Sequence, residues 1–252
     1  MVQSIWIWPF VLFVPDVFRP VFQKEKIFWM VYKNFETMII SLLHPSRSRP
    51  NKALETAREW YKCIGVGIGV EVEYIQSCDE SDPCIEDYKY AFTTNPIVNN
   101  NTCVVEATNH AAKVSTGDIL VYLSDDFKCP DYWANLLYQE FDGVNGPMLL
   151  KVDDCLQPFN TPVCTIPIMN RALYEKLGYF WHPEYKSMFV DEDLYWTAKK
   201  FGALKLAPHL KFPHEHYSNG KAVHDETYKK SEANWNQGKE VFVRRRALGF
   251  PV

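Results

Sequence analysis

The chain has 252 residues, 47% of them hydrophobic and 23% charged, and its 27 basic against 31 acidic side chains leave a formal net charge of −4. That supplies apolar material for one substantial α/β core, and length alone allows one or two domains. Nucleic-acid binding needs a clustered basic surface, and the only basic run is Arg244-Arg245-Arg246, so no nucleic-acid partner is expected. Those arginines suit a solvated face or a contact with anionic lipid. Seven cysteines without a Cys-x-x-Cys pair indicate neither a zinc site nor a disulfide framework, which points to a reducing, cytoplasmic compartment.

Residues 1–37 read as an apolar, aromatic extension. Ile5 to Val14 is strongly hydrophobic but short and interrupted by Pro9, too short to span a bilayer, and it lacks the basic leader and cleavage site of a secretory signal. Packing on the domain, an extension upstream of it, and peripheral membrane contact through aromatics such as Phe18, Phe22 and Trp29 all fit this composition. The domain itself reads as residues 38–217, in halves 38–127 and 128–217, with a helical tail over 218–252.

From Met38 the pattern alternates strand and helix. Ile39 to Leu43 form a strand, and the polar loop after it carries Ser46, Arg47 and Arg49. The arginines suit bidentate hydrogen bonds to a diphosphate, or simply face solvent. Lys52 to Cys63 give a helical pattern with Leu54, Ala57, Trp60 and Tyr61 inward. The run Gly65-Val66-Gly67-Ile68-Gly69 is no dinucleotide loop, because it follows a helix and precedes a strand. Val70 to Gln76 alternate as a strand leading to Asp79; a polar loop over 95–101, a short strand over 102–105 and a helix over 106–115 follow.

Ile119 to Leu123 read as a buried strand that stops in Asp125-Asp126, while Cys129-Pro130-Asp131 opens the next helix. In an open α/β sheet, ligands gather at the carboxyl ends of strands. Paired carboxylates there suit a hard divalent cation, Mn²⁺ or Mg²⁺, that bridges phosphates; an Asx turn or a helix cap is the structural alternative. Tyr132 to Phe141 then form a helix, Pro147 to Val152 a strand, and Arg171 to Leu177 a helix closed by Gly178. Trp181, His182 and Tyr185 lie in a loop whose rings suit either the faces of a sugar or the anchoring of the loop. Asp191, Glu192 and Asp193 open a helix running to Gly202, where first-turn acids also answer the helix dipole. If Phe212 to Tyr217 is extended, His214 and His216 share a side. His224, Asp225 and Glu226 belong to a surface helix able to fold over a ligand.

Five segments, taken in order and spacing, resemble the inverting family 2 glycosyltransferases. They are Met38-Ile39-Ile40-Ser41-Leu42-Leu43, the stretch Glu73 to Ser81, Asn109-His110-Ala111-Ala112 with Ser115-Thr116-Gly117-Asp118, the motif Ser124-Asp125-Asp126, and Val190-Asp191-Glu192-Asp193-Leu194 followed by Gly202. The resemblance implies a GT-A fold, a Rossmann-like mixed α/β sheet flanked by helices. It implies transfer of a sugar from a nucleoside diphosphate sugar, with a UDP-sugar as first candidate, to a hydroxyl of a sugar or glycan acceptor. Residue by residue, it implies that Ser46, Arg47, Asp79, Asn109 and Asp125 hold the nucleotide sugar. Asp126 would ligate the metal, with His214 and then His216 as a further metal or phosphate contact. Asp191 would be the catalytic base with Asp193 as its substitute, and Trp181, His182 and Tyr185 would meet the acceptor. The family's additional acid two positions before Asp125 is Leu123 here. A nucleotidyltransferase of similar architecture and a non-catalytic sugar-binding protein are the alternatives.

Overall fold

A computed structural model describes residues 37–65, 69–91 and 95–252; apart from Thr37, the extension read over residues 1–37 lies outside the described residues, as do residues 66–68 of the glycine-rich run. The elements are β1 (Met38–Pro45), α1 (Pro50–Lys62), β2 (Val70–Asp79), α2 (Ile85–Ala91), β3 (Ile97–Asn99), α3 (Val104–Val114), β4 (Ile119–Tyr122), α4 (Trp133–Phe141), β5 (Leu149–Asp153), β6 (Pro167–Asn170), α5 (Arg171–Leu177), α6 (Val190–Lys200), β7 (Leu204–Lys211), α7 (Glu226–Glu232) and α8 (Trp235–Ala247). Among the described residues the strands form one mixed sheet in the order β3-β2-β1-β4-β6-β5-β7. β1 pairs in parallel with β2 on one side and β4 on the other. The chain therefore leaves β1 in opposite directions, and the crevice at the carboxyl ends of β1 and β4 is the topological switch point where such sheets take ligands.

The alternation of β4 explains its burial. Ile119, Val121 and Leu123 face one apolar layer with Trp60 and Trp133, while Leu120 faces the other with Leu173 and Leu194, as a period of two requires. Trp60 and Trp133 pack at a tilt of 57° with centroids 5.1 Å apart. Each buried indole N–H needs an acceptor: Trp60 Nε1 donates to the Phe127 carbonyl (3.0 Å) and Trp133 Nε1 to that of Trp60 (2.8 Å). α1 thus grips the turn immediately after Asp126.

Two local expectations are corrected. Residues 102–105 are the entry to α3 rather than a strand, because the Glu106 carboxylate reaches back to accept the Thr102 N–H (2.6 Å), a helix-starting contact. The strand is β3, starting five residues earlier at Ile97 and paired with Ser77–Asp79. α4 begins only at Trp133, since Tyr132 takes a left-handed conformation at φ 60°.

The last part of the segment read as a tail, α8 and the residues after it, packs into the core. Val241, Phe242 and Phe250 are buried in the same cluster as Leu194. α8 approaches so closely that a Cβ on Gly238 would lie 2.3 Å from the Met188 carbonyl oxygen. Arg245 forms a buried two-pronged pair with Asp193, at 2.7 Å to Oδ2 and 3.2 Å to Oδ1. Truncating one partner of a buried pair strands the other charge, so Arg245→Ala should lower the unfolding free energy by about 3–5 kcal/mol. Urea denaturation reads this directly, and a midpoint equal to the wild-type value would contradict the docking of α8.

Candidate active site

The site grows from the carboxyl ends of β1 and β4, held side by side by the Leu123 N–H donating to the Leu43 carbonyl (2.8 Å). Asp125 turns toward β1. Its Oδ1 meets His44 Nε2 at 3.0 Å, its Oδ2 accepts from Ser46 Oγ (2.9 Å), and its carbonyl accepts from Thr56 Oγ1 (2.8 Å). His44, fully buried, has its other ring nitrogen 2.7 Å from the Tyr74 hydroxyl. Both side-chain oxygens of Asp125 thus have a partner, and the residue fixes the loop after β1.

Asp126 turns the other way. The segment after β7 runs back along the Asp126 turn, with Lys128 N–H donating to Pro213 O and Glu215 N–H donating to Asp126 O, both at 2.8 Å. That bridge brings His214 Nε2 to 3.1 Å from Asp126 Oδ2, which also accepts from the Tyr228 hydroxyl at 2.6 Å. Asp126 Oδ1 and His214 Nδ1 are buried with no hydrogen-bond partner. An orphaned buried carboxylate oxygen is costly, and such groups call for an explanation such as an ion. Burial opposes ionisation of Asp126, but the hydrogen bonds from His214 and Tyr228 outweigh it and hold the carboxyl well below the usual range. His216 instead bonds Ser218 Oγ (2.8 Å) and caps the short 3-10 turn Tyr217–Asn219, so it does not join Asp126 as a second histidine.

Among the described residues no cluster of three or more His, Cys, Asp or Glu side chains forms a closed metal cage. An ionised carboxylate with a spare oxygen beside one imidazole nevertheless fits a divalent cation that takes the rest of its shell from phosphate and water. Arg47 pairs with Asp79 at the end of β2 and also reaches Ser81, so two predicted nucleotide contacts neutralise each other at the rim. Arg49 forks onto Asp225 with its guanidinium 4.8 Å over the Tyr228 ring.

Asp191 stands in the first turn of α6, its Oδ1 accepting from the Glu192 N–H (3.0 Å). Burial, the largest influence, raises its pKa, against backbone N–H groups that lower it and with the Asp154 charge adding to the rise. The Tyr122 phenol, pushed up by burial, also feels the charges of Asp126, Asp125 and Asp191. Phe189, the residue capping α6, is left-handed at φ 69° and is held by Trp235 and Phe242 at 4.8 and 5.8 Å. α8 thereby packs on the residue that opens α6, two positions before Asp191.

Five predicted site residues are engaged by other protein groups, Trp181 lying against the Tyr122 ring with centroids 5.5 Å apart. Asp193 is enclosed by Arg245, the Tyr185 hydroxyl (2.9 Å) and Thr197 Oγ1 (3.1 Å), which removes it as a free base. Trp181 and Tyr185 are 3% and 1% exposed, too buried to stack on a sugar. His182 faces Arg245 Nη1 at 2.7 Å, and burial and that cation press its pKa down to about 4. Asn109 accepts from the Phe180 and Trp181 N–H groups (3.0 and 2.9 Å) and donates to the Trp181 carbonyl (2.8 Å). Residues not singled out from sequence are His44, Tyr228 and the buried Lys151, whose amine bonds the Val163 carbonyl and lies 5.2 Å from the Phe159 ring. Only His44, a polar residue continuing an apolar strand, left a local signal.

Asn109→Ala should therefore destabilise the fold by about 1–3 kcal/mol, the scale for buried groups left unpaired, with nucleotide affinity unchanged. Calorimetry alongside thermal melting checks this; lost affinity at wild-type stability would return Asn109 to the ligand site.

No family model and no curated protein matches the chain. Solved structures do share its fold. A mannosyltransferase from Pyrobaculum calidifontis, in complex with GDP-Man and Mn²⁺, aligns with a TM-score of 0.55 at 13% identity, over 75% of this chain and 59% of that one. S. aureus TarS 1-349 aligns with a TM-score of 0.53 at 14% identity, over 70% and 60% of the two chains. Its complex with UDP-GlcNAc aligns with a TM-score of 0.53 at 15% identity, over 77% and 64%. This chain thus spans about 60% of the length of the structures it matches. The likeness is one of fold: a mixed sheet flanked by helices, GT-A-like, of the kind glycosyltransferases use.

Proposed function

We propose that the protein is an inverting glycosyltransferase that moves a sugar from a nucleoside diphosphate sugar, first of all a UDP-sugar, to a hydroxyl of a sugar or glycan acceptor. The observation that carries this is the buried, half-unpaired Asp126 at the switch point, with His214 3.1 Å from its other oxygen; the raised pKa of Asp191, caused by burial, accords with a base. The glycosyltransferase fold supports it.

Asp126 and His214 would hold Mn²⁺ or Mg²⁺ beside the donor diphosphate. When bound, such a cation neutralises charge on the leaving diphosphate. Asp125, fixed by His44 and Ser46, lines the donor pocket and orients ribose or sugar, and Arg47 with Asp79 forms its base-proximal rim. Asp191 takes the acceptor hydroxyl proton as that oxygen bonds the anomeric carbon, and the bond from that carbon to the diphosphate breaks on the opposite face. Positioning and charge stabilisation supply the acceleration, with no covalent intermediate on the protein.

Incubation with a panel of UDP- and GDP-sugars and Mn²⁺ should release the nucleoside diphosphate from one class; release from none, with binding retained, would leave a sugar-binding protein. Asp126→Asn should keep the fold but lose most Mn²⁺-dependent nucleotide affinity by calorimetry. Asp191→Asn should keep nucleotide affinity while transfer falls roughly 10²-fold or more; normal transfer would overturn the base assignment. A base works unprotonated, so rate is lost as pH falls through its pKa. Because burial raises that pKa, the acid limb of kcat/KM should lie above the ordinary Asp value of about 3.9 and be absent from Asp191→Asn.

A further inference from the structure

The polar partners of α7 are the very groups a metal–diphosphate would claim. Asp225, the N-cap of α7, gives Arg49 an anion in a two-pronged pair, with Arg49 Nε to Asp225 Oδ2 at 2.9 Å. One turn on, Tyr228 gives Asp126 a hydrogen-bond donor at 2.6 Å. A carboxylate stands where Arg49 would meet phosphate oxygen, and a hydroxyl holds Oδ2 of the carboxylate whose bare Oδ1 would face a cation. Both contacts come from one element and cross 176 and 102 residues of sequence.

α7 itself is lightly held. None of its residues is buried; beyond these two contacts it is tied by the Ser187 hydroxyl to the Ser231 carbonyl (2.9 Å), by Glu232 to Tyr217 and to His224 (3.1 Å), and by rings of His216 and Tyr217 about 5 Å from that of Tyr228. An element with few buried apolar contacts opens at low free-energy cost. Arg49, by contrast, is rooted: its backbone N–H donates to the Tyr88 hydroxyl (3.0 Å), and burial, which would discharge it, is outweighed by Asp225 and Asp125.

We propose that α7 is a self-inhibitory latch, in which Asp225 and Tyr228 occupy Arg49 and Asp126 until a metal-bound diphosphate displaces them; this rests on the donor-binding reading above. Arg49 is then a diphosphate-binding residue exposed only by opening. The latch lowers apparent affinity by the fraction of molecules that are open.

The full chain carrying Asp225→Asn and Tyr228→Phe tests this with little disturbance, since asparagine still caps the helix and phenylalanine keeps the ring. Hydrogen exchange over residues 218–234 without ligand, and calorimetry with Mn²⁺ plus UDP, GDP or inorganic pyrophosphate, are the two readouts. The double variant should exchange faster in the free state and bind its preferred diphosphate roughly three- to tenfold more tightly than wild type, the release expected when the open state is a minority. Exchange equal to wild type overturns the latch, because these contacts then do not hold α7. Faster exchange with equal or weaker binding also overturns it, because α7 then does not compete with the ligand. If neither protein binds any of the three with Mn²⁺, the donor-binding reading falls and the latch falls with it.

Discussion

Two adjacent carboxylates are taken out of water at the end of β4, and the polar architecture around them follows from having to satisfy both. Parallel pairing of β1 with β4 delivers His44 and Ser46 to Asp125 from one side. The return segment after β7 delivers His214 to Asp126 from the other, and Tyr228 arrives from α7. Asp125 ends with both oxygens partnered. Asp126 ends with one oxygen paired and one bare, an arrangement that costs folding free energy unless a ligand uses it.

The acids around this crevice are sorted by environment. Hydrogen bonds hold Asp126 ionised against burial, whereas burial lifts the pKa of Asp191. Groups driven in opposite directions are suited to opposite tasks, a fixed anion and a proton acceptor. Asp191 is the proposed base on α6, whereas Asp193, two residues on, faces inward and is neutralised by Arg245. Its partner comes from α8, which also seats Phe189, so the C-terminal segment acts on the site through packing.

The sequence made legible what local periodicity encodes. Alternation along β1, β2 and β4 placed the strand ends and the acids that follow them, because a strand's period of two is written in its own residues. What stayed hidden depends on distant pairing. Trp181 and Tyr185 looked like loop aromatics, yet the loop folds inward and Asn109 fastens its backbone. Asp191 and Asp193 are equivalent by composition, and only Arg245, 52 residues away, separates them. Val104 and Val105 favour a strand by branching, but the Glu106 contact at the helix start prevails. Tyr228 carried no motif, and its role appears only where α7 meets β4.

The central claim is that Asp126 and His214 form half of a cation site that a nucleoside diphosphate completes. Electron paramagnetic resonance of Mn²⁺ tests it most directly, because the six-line signal of the free ion is lost on binding. With protein alone most of that signal should remain, since two protein donors do not fill the shell; with protein and UDP or GDP together it should fall well below the level given by the nucleotide without protein. Equal signals with and without protein, at every nucleotide concentration, would contradict the account.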